Sequence, residues 1–124
     1  MQERKQFDTA IADFQNTQFR LADMLTELVA ARQMIRLAAS KLDNQDPQAT
    51  TYCAMAKRFA TDVGFTVCND ALQLLGGYGY IKEYPMERYV RDTRVHQILE
   101  GTNEIMRVIV GRKLLMDGAL EVIQ

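Results

Sequence analysis

The sequence predicts an all-α protein, an up-and-down bundle of long amphipathic helices. Three observations carry this expectation. The 124 residues include only seven glycines and two prolines, too few to punctuate many short strands. Apolar residues recur at helical spacing through three long stretches. The breaks between those stretches are short and hold helix-starting and helix-ending residues, as expected of neighbours packed in sequence order. Residues 1–124 are expected to form one domain, because this length suits a single modest core.

The first helix is predicted from about Phe14 to Leu42. Leu21, Leu25, Leu28, Arg32, Ile35 and Leu42 step by three, four and seven with Met24 and Ala31 beside them, which draws one stripe along a helix. The polar Asp43-Asn44-Gln45 ends it. Asp46 is placed to cap the second helix and Pro47 to occupy its first position, where a missing N–H costs nothing. Met55, Phe59, Val63 and Val67 form its stripe, and Ala56, Ala60 and Gly64 form a row of small residues suited to close approach by a neighbour. Gly76-Gly77 is predicted to end it. A glycine- and tyrosine-rich loop to Pro85, a short helix from Met86 to Thr93, and a last helix from about Asn103 to Leu115 complete the chain, with an extension toward Ile123 left open. Three such helices leave one side of a four-helix groove open. Another chain or a further helix is expected to cover it.

Composition narrows the function. Fifteen basic against sixteen acidic residues give a net charge of -1, so no overall field draws the chain to nucleic acid or an anionic membrane. No run is long and apolar enough to span a bilayer, and Met1 to Gln6 lacks the apolar core of a signal peptide. The chain is expected to be soluble and intracellular. Cys53 and Cys68 lie fifteen residues apart on one predicted helix, too far to pair, and His96 is the sole histidine. These are expected to be two small buried thiols and no metal site.

Glu100 stands out. It follows Ile98-Leu99 and precedes Gly101 at a break before a helix. Apolar surroundings would disfavour its charged form, as suits a general base, whereas the helix N-terminus would favour the anion. Local features leave two readings open, a proton acceptor and a helix-capping or surface acid. Gly76-Gly77-Tyr78-Gly79 is a weak phosphate-loop signal, since no strand precedes it and no Lys-Ser/Thr pair follows. A helix end and turn explain it as well. Tyr78, Tyr80, Tyr84 and Tyr89 either line a groove or seal the bundle end. Arg88, Arg91 and Arg94, spaced by three, either hold a phosphate or pair with acids such as Glu87 and Asp92.

Blocks along almost the whole chain resemble the acyl-CoA dehydrogenase family. The strongest are Arg4-Lys5-Gln6-Phe7, Gln73-Leu74-Leu75-Gly76-Gly77-Tyr78-Gly79-Tyr80, and Arg91-Asp92 through Ile98-Leu99-Glu100-Gly101-Thr102-Asn103-Glu104. Gln18 to Met24 and Ala56-Lys57-Arg58-Phe59-Ala60 add support. The resemblance implies the C-terminal four-helix-bundle domain of an FAD-dependent enzyme, with its first helix, its N-terminal helical domain and its middle β-domain lying ahead of Met1. It implies that Glu100 is the catalytic base removing the pro-R α-proton of an acyl-CoA, with hydride passing from the β-carbon to FAD to give the trans-2-enoyl-CoA. It makes Gly101 a substrate contact. For FAD it implies Arg4, Gln15, the stretch Gln73, Leu74, Leu75, Gly76 and Gly77, and the stretch Thr102, Asn103 and Glu104. FAD in the family lies between subunits, so a homo-oligomer, a tetramer in the intact enzyme, is also implied, with electron-transfer flavoprotein as the redox partner.

A glutamate at position 100 argues against isovaleryl-type and long-chain-type members. The flanking runs most resemble short- and branched-chain members, the isobutyryl-CoA dehydrogenases among them. The expected location is the cytoplasm of a bacterium or the mitochondrial matrix of a eukaryote. One departure falls after Phe7, where the family usually has glycine and this chain reads Asp8-Thr9-Ala10. The 124 residues alone are expected neither to retain FAD tightly nor to turn over acyl-CoA. The competing reading is a non-catalytic helical oligomerisation module derived from the same family.

Overall fold

A computed structural model describes residues 5–6, 9–10, 14–80 and 85–118. Five helices follow a minimal antiparallel pairing of β1 (Lys5–Gln6) with β2 (Thr9–Ala10), in which Lys5 faces Ala10 and Gln6 faces Thr9. The helices are α1 (Gln15–Asp43), α2 (Ala49–Leu75), α3 (Gly77–Tyr80), α4 (Met86–His96) and α5 (Asn103–Asp117). The predicted all-α bundle is present, with α2 at its centre in contact with each of the other four helices.

The α1–α2 packing uses the small residues, not the leucines. Thr17, Ala31 and Ala38 are buried and Met24 is half-buried, so one position every seven residues faces inward. That period is the seam of two helices crossing at a shallow angle. Across from it, α2 buries Ala49, Tyr52, Ala54 and Ala56, and Ala38, Tyr52 and Ala56 cluster with Met34, Cys53 and Met55. The predicted stripe is displaced as a result. Leu21, Leu25, Leu28, Ile35 and Leu42 are exposed, Leu25 by 63%. Alanine on both helices lies at the seam, and the bulkier leucines of α1 lie outside it. The row predicted on α2 holds only in part: Ala56 is in the cluster, but a side chain added at Gly64 would meet nothing within 4 Å.

Boundaries shift for local reasons. Asp46 does not cap α2: its Oδ1 accepts from the N–H of Gln48, the residue ahead of the helix, at 2.7 Å, and the Asp46 carbonyl accepts from the Ala49 N–H at 3.0 Å. Pro47 therefore sits in a tight turn, and α2 starts at Ala49 rather than at the proline. Gly76 ends α2 with φ 64. Its neighbour Gly77 opens α3, where a loop was expected. At Gly79 any Cβ would lie 2.5 Å from the Leu72 carbonyl oxygen, so the chain folds this tightly onto the end of α2 only with glycine there. Helix α4 continues three residues beyond the predicted Thr93 to His96. Helix α5 stops at Asp117, where Gly118 takes φ 82, and the extension toward Ile123 lies outside the described residues. Cys53 and Cys68 are free, both half-buried rather than fully buried. No group of His, Cys, Asp and Glu among the described residues could hold a metal ion, and none of their helices is long and apolar enough to cross a membrane.

Candidate functional site

Glu100 occupies a loop between α4 and α5 that the backbone folds very tightly. After His96 the Ile98 and Leu99 N–H groups both donate to the Val95 carbonyl at 2.9 Å, tightening the last turn of α4. Glu100 then takes φ 56 and Gly101 φ 89, two left-handed residues in succession. Glycine adopts this freely, whereas a side chain at Glu100 costs roughly 1–2 kcal/mol. The Asn103 N–H reaches back to the Gln97 carbonyl at 3.1 Å and closes the loop. Thr102 caps α5, its hydroxyl accepting from the Ile105 N–H at 3.3 Å. The cap is thus a hydroxyl and not the carboxylate of Glu100. Glu100 is exposed, and so are Ile98 and Leu99, so the apolar enclosure considered for the carboxylate is not formed by the described residues.

Beneath the loop lies a dense polar network rooted on α2. Asn103 is 3% exposed. Its amide nitrogen donates to Asp62 Oδ1 at 2.6 Å and Thr61 Oγ1 at 2.9 Å, and its Oδ1 accepts from Lys57 Nζ at 2.6 Å. Lys57 Nζ also donates to the Gly101 carbonyl at 2.7 Å and the Gln97 carbonyl at 3.4 Å. Gln97 Nε2 donates to Asp62 Oδ1 at 2.7 Å, and Arg107 lies 3.7 Å from Asp62 Oδ2. A buried amide so fully satisfied locks its segment in one arrangement. The Asn103 side chain is therefore committed to the fold, as is its backbone N–H, which closes the loop on Gln97.

The other expected cofactor residues fall in separate places. Arg4 lies outside the described residues. Gln15 is the exposed first residue of α1. Gln73 is exposed near the end of α2, and Leu74 and Leu75 are half-buried. Gly76 donates its N–H to the Gln73 carbonyl at 3.0 Å, and Gly77 begins α3. Thr61, which Asn103 touches, precedes Gln73 by twelve positions on one helix, a separation of about 18 Å. One compact group cannot touch both stretches of the same chain. An extended dinucleotide, or two of them, can.

Each stretch suits a different part of such a molecule. The end of α2 presents carbonyl oxygens at the negative end of a helix, which favours donor groups such as an adenine amine or ribose hydroxyls. The start of α5 presents the positive end, with the Glu104 amide not taken by the Thr102 cap. Beside it lies a polar groove of about 350 Å³ whose lining sets Arg94 and Arg107 against the carboxylates Asp62 and Glu104, so hydrogen-bonding groups rather than a net positive charge would meet a bound group. By these tests the residues present fit a dinucleotide. A second groove of about 390 Å³, between Met34, Met55, Phe59 and Val110, holds none of the expected site residues.

The arginines divide among separate partners. Arg91 pairs with Glu87 at 3.7 Å, Arg88 lies over the Tyr89 ring at 5.4 Å, and Arg94 donates to Gln97 Oε1 at 3.0 Å. Tyr80 and Tyr89 are exposed, Tyr84 lies outside the described residues, and the Tyr78 side chain is not described. Sequence reasoning missed Lys57 and Asp62 as parts of the site. The one available signal was a lysine flanked by Ala56 and Ala60 on a packing face, where an unpartnered charge would not be tolerated.

The fold and the loop define a helical bundle domain that carries a carboxylate on a strained turn ahead of a helix N-terminus. The family model for the acyl-CoA dehydrogenase C-terminal domain matches residues 1–115. The chain is 55% identical over 114 residues to mitochondrial isobutyryl-CoA dehydrogenase of Bos taurus and 57% identical over 114 residues to that of Dictyostelium discoideum. Each match covers 92% of this chain and 27% of the relative, so the chain spans about a quarter of the length of the curated relatives it matches. Among solved structures, butyryl-CoA dehydrogenase from Megasphaera elsdenii superposes with a TM-score of 0.88 at 42% identity, covering 92% of this chain and 30% of that one. The chain belongs to the acyl-CoA dehydrogenase family and matches its C-terminal domain.

Proposed function

We propose that this chain serves an FAD-dependent dehydrogenase of short- or branched-chain acyl-CoA thioesters, with Glu100 as the base. One observation carries the reading. The sole carboxylate with a left-handed backbone among the described residues is held at an exposed loop apex between two helices, on the segment where the family resemblance is densest. Strain of this kind persists where the surrounding structure enforces it, and it gathers at functional positions.

In this reading the Glu100 carboxylate takes the α-proton of the thioester while its own backbone N–H donates to the thioester carbonyl oxygen. The same residue removes the proton and stabilises the negative charge left on the substrate. Gly101 keeps the turn beside the carboxylate free of a side chain, which its φ of 89 would also disfavour. The Gly76 end of α2 and the start of α5 hold the donor-rich and anionic parts of FAD, together with Gln15 and Arg4. Bound FAD supplies the acceptor for the hydride that leaves the β-carbon, so the α-proton and β-hydride are lost together and a carbon–carbon double bond forms. The two cofactor stretches, at the end of α2 and the start of α5, lie far enough apart for each chain to serve more than one flavin site in a homo-oligomer. Electron-transfer flavoprotein reoxidises the flavin, in the cytoplasm of a bacterium or the mitochondrial matrix of a eukaryote.

The test is Glu100→Gln in the flavin-loaded protein carrying this domain. Size and hydrogen-bonding capacity are kept while the base is removed. The rate of flavin bleaching by isobutyryl-CoA, followed anaerobically, is expected to fall by several orders of magnitude, about 10³-fold or more. A variant that bleaches at the wild-type rate would end the assignment of Glu100, and the chain would then read as a helical oligomerisation module.

A further inference from the structure

We infer that Lys57 is the positioning residue of the Glu100 loop. The inference rests on the reading of Glu100 as the base. Lys57 stands on α2, half-buried, and its ammonium has three N–H donors and no acceptor. All three find partners on one short segment: the Gln97 carbonyl at 3.4 Å, the Gly101 carbonyl at 2.7 Å and Asn103 Oδ1 at 2.6 Å. The first two acceptors bracket residues 98–100, so a single charge clamps the loop on both sides of the carboxylate. The third ties that clamp to the buried amide that anchors the start of α5.

The arrangement answers a specific structural need. The Glu100–Gly101 turn runs through two left-handed residues, and the carbonyl that follows it, that of Gly101, has turned inward toward α2. A cationic donor at 2.7 Å makes a stronger bond to that carbonyl than a neutral one. Without it the Gly101–Thr102 peptide is free to turn, and the loop loses the contact that fixes its course on the C-terminal side of Glu100. The Lys57 ammonium makes its bonds to the loop's backbone and to Asn103, so it acts on position and not on chemistry. Displacement of a reacting group by about 1 Å costs on the order of a hundredfold in rate.

The experiment compares Lys57→Met, Lys57→Gln and Glu100→Gln with wild type, all in the flavin-loaded protein carrying this domain. Isobutyryl-CoA reports the full reaction. A 3-thia-acyl-CoA, which yields its α-proton but has no β-hydride to lose, reports proton removal through the long-wavelength band its anion forms against the oxidised flavin. Backbone hydrogen exchange at residues 98–103 reports the loop without turnover. For Lys57→Met we expect flavin reduction slowed ten- to a hundredfold, analogue affinity within threefold of wild type, a weakened long-wavelength band, and exchange at 98–103 at least tenfold faster with the α1–α2 amides unchanged. Lys57→Gln, which retains a polar donor on a shorter arm, is expected to fall between.

Wild-type reduction and wild-type exchange in Lys57→Met, with Glu100→Gln inert, would overturn this inference and leave the base in place. Faster exchange spread over α2 and α5, or loss of flavin-loaded protein in both lysine variants, would assign Lys57 to fold stability and overturn it too. A Glu100→Gln variant that still forms the band removes the base assignment and this inference together.

Discussion

At the scale of single residues the decisive contrast lies between neighbours 100 and 101. Both are left-handed, yet only one is glycine. A Cβ at Gly101 would meet Met106 Cε at 2.9 Å and would also sit at φ 89, where side chains are rarely tolerated. Gly101→Ala is expected to destabilise the fold by about 1–3 kcal/mol, read as a lower urea midpoint at unchanged slope. A midpoint equal to wild type would mean that the turn relaxes freely, contrary to the clamp described here. Some of this was legible in the sequence. Gly101 beside a helix start and Gly76 at a helix end announce themselves by residue type, because their constraint is local. Thr102 was named for another role, and its cap was missed. Lys57 and Asp62 were missed for a deeper reason. Their loop partners lie 35 and more positions away, and only the packing of α2 against the loop brings them together.

Among elements, the α1–α2 turn shows how a reading of residue types can misplace a boundary. Asp46 was expected to cap α2, but its carboxylate engages the Gln48 amide ahead of the helix and so draws Pro47 into the turn. That backbone hydrogen bond, aided by Lys41 against some desolvation, holds the Asp46 carboxyl below its ordinary value of 3.8. Asp117, bonded to Lys113 and Gln48, is likewise held below 3.8. In both cases the unfolded chain binds its proton first as pH falls. The contribution is therefore intact above the ordinary carboxylate value and disappears as pH drops through the lower folded values. Thermal midpoints are expected to be insensitive to these two groups above about pH 5 and to decline below about pH 4. Asp46→Asn, which keeps the acceptor but cannot titrate there, should decline less steeply. An identical decline would mean that the turn carboxylate contributes nothing to the acid sensitivity.

For the whole molecule, periodicity made the bundle legible but not the choice of inward face. The leucine stripe was assigned to the core by its hydrophobicity, whereas the positions of α1 that are buried at the seam with α2 are alanine and threonine. The outcome is a surface with Leu25 at 63%, Leu42 at 61% and Leu115 at 89% exposure. Burying a leucine contributes about 1.5–3 kcal/mol, so a second copy or a further helix laid on these faces would gain by covering them. Static light scattering of the purified chain is expected to give a mass of two or more chains. A mass of one chain at high concentration would argue against the homo-oligomer.

One continuous helix, α2, carries the loop clamp at Lys57 and the glycine-ended stretch at Gln73. Deleting or inserting a single residue between them would shift one end by about 1.5 Å and rotate it by about 100° relative to the other. Asn103 would still hold Thr61 and Asp62, but the carbonyls at the far end would point elsewhere. Over this span α2 tolerates exchanges of side chain far better than changes of length. Its length and phase are a gauge that keeps two distant binding surfaces in register.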